Sequence, residues 1–143
     1  MKIGVPSEIK AQESRVGLTP SSVQELTNHG HEVLVQDNAG FGAGFENEDY
    51  QKAGAHIAST AGDVFNDSDM IVKVKEPQSE EVSMLRENQL LFTYLHLSAA
   101  PELTKGLVNS KSICIAYETV TDENKRLPLL APMSAVAGRM SIQ

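Results

Sequence analysis

Three side chains in this sequence combine useful chemistry with a useful place. The run IVKVKEP delivers Lys75, the run LLFTYLHLS delivers His96, and Arg15 stands in ESRVGLTP, just after the strand-like opening KIGVP. A guanidinium offers a planar fork that grips a carboxylate by two parallel bonds, which an ammonium cannot imitate. A lysine cation polarises a carbonyl or binds a carboxylate. A histidine gives and takes a proton near neutral pH. Together they suit a small carboxylate whose neighbouring carbon undergoes redox or proton chemistry. Each also has a plainer alternative. Arg15 could be a solvated surface charge, Lys75 the partner of Glu76 in a surface pair, and His96 a hydrogen-bonded packing residue between Leu95 and Leu97. The apolar flanks place His96 half-buried at a strand's carboxyl end, where two nearby cations would keep it neutral.

These residues need elements to hold them, and the pattern supplies short strands alternating with helices. Strands are expected at Lys2–Val5, Glu32–Gln36, His56–Ala58, 70–74, 89–94 and 112–116. Helices are expected from Thr19-Pro20 to a stop at Gly30, then at 47–53, 61–66, 80–87 and 101–109. Strands joined through helices must pair in parallel, which gives an α/β, Rossmann-like sheet. Ligands of such sheets bind beyond the carboxyl ends of the strands, so Arg15, Lys75 and His96 can converge on one crevice.

Composition narrows the function classes. With 143 residues, 41% hydrophobic and 22% charged, the chain reads as one soluble globular domain. A net charge of −7 argues against nucleic acid as a partner. The apolar runs are strand-sized, so no membrane span is expected, and the absence of a signal-peptide pattern points to a cytoplasmic protein. The lone cysteine, Cys114, sits in SICIAY and reads as a small buried hydrophobe. The run Gly40-Phe41-Gly42-Ala43-Gly44 lacks the third glycine of a dinucleotide loop, and Glu46, Glu48 and Asp49 follow it, so it reads as a tight turn. No phosphate-binding P-loop, nucleophile elbow or Cys/His metal spacing is present, and no metal site is expected.

The last stretch, LPLLAPMSAVAGRMSIQ, follows a charged loop; Ser134 could cap a helix there whose Ala135, Ala137 and Gly138 permit close packing. Residues 1–128 are therefore read as a substrate domain, and 129–143 as the start of a helix that the sequence leaves just begun, as in a piece of a longer protein.

The segments MKIGVPSEIKAQESRVGLTPSSV, IVKVKEPQ, LLFTYLHLSAAPEL, AYETV and LPLLAPMSAVAGRMS together resemble the N-terminal part of the alanine dehydrogenases, colinearly over essentially the whole chain. The α subunit of proton-translocating transhydrogenase is the nearest relative of that family, but its segment matching YLHLS lacks the histidine. The resemblance implies reversible oxidative deamination of L-alanine to pyruvate and ammonium, with hydride transfer to NAD. It implies that Arg15 and Lys75 hold the carboxylate and carbonyl of the substrate, that His96 is the acid/base, and that Ser134 and Met133 lie on the cofactor side. It further implies a homohexamer, and an NAD-binding Rossmann domain and a returning C-terminal stretch beyond residue 143, without which this piece would be inactive. A transhydrogenase-like NAD(P) subunit domain and a non-catalytic carboxylate-binding or assembly module are the alternatives, and His96 favours the dehydrogenase.

Overall fold

Each segment read as a strand joins a single parallel sheet. The strands are β1 (Lys2–Val5), β2 (Glu32–Gln36), β3 (His56–Ala58), β4 (Met70–Val72), β5 (Leu90–Thr93) and β6 (Ile113–Ala116), in the spatial order β3-β2-β1-β4-β5-β6. The computed structural model describes residues 1–141, so the last two positions of the expected segment 129–143 lie outside it. Crossovers run through α1 (Pro20–Asn28), α2 (Asn47–Lys52), α3 (Ala61–Asp67), α4 (Ser79–Val82) and α5 (Pro101–Ser110), and α6 (Ala131–Met140) follows β6. The winding reverses between β1 and β4, where β1 pairs with β4 through Ile3 and Met70. The Rossmann-like fold class expected from the pattern is the one found.

The two-residue period of each strand builds a core on either face. Val33 and Val35 of β2 are buried with Val23 of α1 and Tyr50 of α2. Leu34 points the other way, toward the core of Val64, Phe65, Ile71, Leu91 and Leu107. Burying one such side chain fully contributes about 1.5–3 kcal/mol. Cys114 packs against that second core but is half-buried, less enclosed than its sequence setting suggested. Its neighbours Ile113 and Ile115 face the opposite side and are 49% and 39% exposed, so that side of β6 is bare.

Several boundaries differ from the expected ones where another residue takes a backbone group. The start of α1 is as read: Thr19 accepts the Ser22 N–H, Pro20 opens the first turn, and Gly30 takes the left-handed conformation after the helix. The helix expected at 80–87 shortens to α4. Buried Gln89 donates to the carbonyls of Phe65 and Ser68 and accepts from the Arg86 N–H, which converts 83–89 into a turn. β4 stops at Val72 rather than 74, because the Val74 N–H is taken by the Glu8 carboxylate at 2.6 Å. Ser134 does not cap α6. That helix begins earlier, with Pro132 in its first turn and the Ser134 N–H already donating to the Leu130 carbonyl.

Candidate active site

The reversal between β1 and β4 parts the loops that leave them, and a cavity of about 460 Å³ lies there, walled by Arg15, Lys73, Phe92, Tyr94, Tyr117 and Met133 among others. Two glycines let the walls close up. A Cβ on Gly17 would stand 2.5 Å from the Val72 carbonyl oxygen, so only glycine lets the chain after β1 lie on the end of β4. A Cβ on Gly42 would stand 2.9 Å from the Ser14 carbonyl oxygen. The glycine-rich run is thus a 3-10 turn (Phe41–Ala43) that packs against the Arg15 loop. It cradles no phosphate: Glu48 and Asp49 occupy the first turn of the helix it leads into.

Arg15 is not a free surface charge. Its Nε and Nη2 donate to the two oxygens of Glu13 at 2.8 and 2.6 Å, and Nη1 lies 3.5 Å from Met133 Sδ. The guanidinium holds the Glu13 carboxyl down at about 2, against the opposing effect of burial, and Lys75 adds to the lowering. The same pairing raises Arg15.

Lys75 is half-buried. Its expected surface partner, Glu76, is taken by Lys10 instead. Among the described residues no carboxylate comes within ion-pair distance of the Lys75 ammonium. Its backbone is held from two sides: the N–H by Glu8 at 3.3 Å and the carbonyl by the Thr93 hydroxyl at 2.8 Å.

His96 corrects the sequence reading. It is exposed rather than half-buried, and it lies beyond the end of β5 in a left-handed turn with φ of 51°. Such a conformation in a residue with a Cβ needs support from its surroundings. Glu118 gives it, accepting the N–H groups of Leu95 and of His96, the latter at 2.8 Å. Burial opposes ionisation of Glu118, but these backbone donors and the nearby His96 outweigh it and lower the carboxyl. The imidazole stacks on Tyr94, ring centres 6.1 Å apart and planes 11° from parallel. Tyr94 in turn donates to the Leu129 carbonyl at 2.5 Å.

The structure therefore brings Arg15 and Met133 into one wall, with Lys75 and His96 bordering it through Val74 and Tyr94. Ser134 is exposed on α6 beside Met133. Five residues of weight were not singled out by the sequence. Lys73 is buried with Glu8 at 3.2 Å and Glu81 at 2.6 Å, all three side chains at most 2% exposed. Glu118 was in view only as part of AYETV. Glu13 carried a usable signal, an acid two residues before an arginine in a loop; Glu8 and Lys73 carried none, because their pairing spans 65 positions.

An open parallel sheet with a partly aromatic cavity at its switch point is the architecture of an α/β domain whose ligand site lies beyond the strand ends. The chain matches the family described as "Alanine dehydrogenase/PNT, N-terminal domain" over residues 4–137, and it belongs to that family. It is 56% identical to an alanine dehydrogenase of Halomonas elongata over 143 residues, covering 100% of this chain and 38% of that protein. A solved L-alanine dehydrogenase superposes with a TM-score of 0.95 at 54% identity, covering 100% of this chain and 39% of that one. A transhydrogenase from Sinorhizobium meliloti is more distant, with a TM-score of 0.77 at 27% identity over 82% of this chain and 35% of its own. No helix among the described residues is long and apolar enough to cross a membrane.

Proposed function

We propose that this chain is the substrate-holding part of a cytoplasmic, NAD-dependent alanine dehydrogenase that assembles as a homohexamer. The reaction is L-alanine + NAD⁺ + H₂O giving pyruvate, ammonium, NADH and H⁺. The observation that carries this reading is Arg15, whose guanidinium reaches a cavity larger than a three-carbon acid needs, in a chain that matches alanine dehydrogenases along its full length. The bare face of β6 supports the idea that further chain covers it, and 129–143 is read as the start of the hinge helix leading to an NAD-binding domain.

In this mechanism Arg15 holds the substrate carboxylate and so fixes the direction of the α-hydrogen, which is catalysis by orientation. Lys75, with no carboxylate among the described residues within ion-pair distance, stabilises oxygen that becomes anionic as the carbonyl forms. His96 deprotonates the attacking water and returns the proton as ammonia departs. The chemistry that a bound nicotinamide would supply is hydride acceptance. Met133, in contact with Arg15, and Ser134, exposed next to it on α6, would lie on the nicotinamide side, as the family resemblance implies. Glu48 and Asp49 at the start of the helix after the glycine-rich turn do not suit the pyrophosphate of NAD, and the family resemblance assigns that part to the NAD-binding domain.

The test is NADH-dependent turnover of pyruvate and ammonium by the full-length protein. We expect activity in the parent and a fall in kcat of about 10²–10⁴-fold in His96→Ala. Near-normal turnover in the variant would remove His96 from the chemistry. An inactive parent would return the chain to a transhydrogenase-like or non-catalytic carboxylate-binding role.

A further inference from the structure

We propose that Glu13 is a positioning residue: it selects which of the two forks of Arg15 meets the substrate carboxylate. This rests on the reading of Arg15 as the carboxylate-binding residue. A guanidinium has five N–H donors and two usable bidentate edges, Nε with Nη2 and Nη1 with Nη2. Glu13 consumes the first edge completely. Its Oε1 accepts from Nε at 2.8 Å and from the Arg15 backbone N–H at 2.9 Å, and its Oε2 accepts from Nη2 at 2.6 Å. What remains is the second edge. Its Nη1 points at Met133 Sδ in the cavity wall, a weak acceptor that a carboxylate would readily displace.

Glu13 is behind the arginine and not in the substrate's place. Its side chain is 7% exposed and it forms no part of the cavity wall. The loop carrying the pair is itself pinned, because Ser14 packs on Gly42 and the Glu13 N–H donates to the Lys10 carbonyl. A long, freely rotating arginine would meet a carboxylate by either fork and in many poses. Clamped as it is, it offers one fork in one plane, which fixes the plane of the bound carboxylate and the direction of its bond to the α-carbon. The arrangement gives up part of the guanidinium's attraction, since a negative charge sits against it. Lys75, whose field reaches Glu13, restores positive potential at the crevice.

The experiment uses the full-length enzyme, with pyruvate KM, NADH KM, kcat and melting temperature measured for Glu13→Gln, Arg15→Lys and the double variant. Glutamine keeps the shape but turns an amide N–H₂ against the guanidinium. Glu13→Gln is expected to raise pyruvate KM about tenfold while leaving NADH KM within about twofold. In the Arg15→Lys background the same change should add less than about twofold, because an ammonium has no second fork to aim. If Glu13→Gln melts too low to assay, Glu13→Asp, which keeps the charge but retracts it by one methylene, should give the same split between the two KM values. Unchanged pyruvate KM in these variants would overturn the proposal, as would a full tenfold effect persisting in the Arg15→Lys background. Arg15→Lys with an unaltered pyruvate KM would instead overturn the reading of Arg15 on which the proposal stands.

Discussion

Replacing Lys73 by Met keeps an unbranched stem of similar length and deletes the ammonium that Glu8 and Glu81 share. The distances are 3.2 and 2.6 Å, and no partner is more than 2% exposed. With an effective dielectric constant near 20, these separations correspond to attractions of about 5 and about 6 kcal/mol. The cost of burying three charges, several kcal/mol each, offsets most of that. What a variant reports is the penalty of leaving carboxylates without their cation, about 3–5 kcal/mol. That is a large share of the 5–15 kcal/mol or so that holds a typical domain folded. Burial already pushes the Glu81 carboxyl above its usual value, with Lys73 opposing the rise. A raised carboxyl favours the protonated form in the folded state. The stability linked to it is therefore present in full below the unfolded value near 4.5 and declines as pH rises toward the folded value. Without Lys73 that rise is larger, so the variant's deficit should be greatest at neutral pH and shrink on acidification. Urea denaturation followed by circular dichroism at pH 7.5 and pH 5 measures both. A deficit below about 1 kcal/mol at pH 7.5, or one that fails to shrink at pH 5, would refute the reasoning.

Gly17→Ala puts a Cβ 2.5 Å from the Val72 carbonyl oxygen, a backbone atom that cannot turn aside, and should lower the urea midpoint by the equivalent of about 1–3 kcal/mol; an unchanged midpoint would mean the loop lifts off at no cost. Glu118→Ala removes the acceptor for the N–H groups of Leu95 and His96 and releases the left-handed turn, so kcat in the full-length enzyme should fall about tenfold or more with a smaller change in pyruvate KM; equal kcat would show that the turn holds itself.

How much of this was legible in the sequence depended on how local each cause was. The strands and their crossovers were readable because their pattern is a run of β-branched and aliphatic residues between caps and turns, as with Thr19-Pro20 and Gly30. The positions of Arg15 and Lys75, in the loops after β1 and β4, were legible because strand ends announce themselves. Most of the misjudged features turn on distant partners. The expected 80–87 helix yields to Gln89, which bonds to Phe65 and Ser68 across more than 20 positions. The enclosure assigned to His96 came from its leucine neighbours, yet Glu118 turns its backbone outward from 22 positions away. Lys73 stands two positions before Lys75 in the same run, and only Glu8 and Glu81 make it a buried ion.

Tyr94 joins two regions that would otherwise move separately. Its ring is the surface on which the His96 imidazole rests, and its hydroxyl anchors the Leu129 carbonyl just ahead of α6. The pose of His96 and the placement of α6 are thus not independent degrees of freedom. Tilting α6 away must either break that hydrogen bond or drag the ring with it, and a dragged ring carries the imidazole. A single aromatic side chain acts here as a mechanical linkage, so that a label on α6 would register events at the histidine.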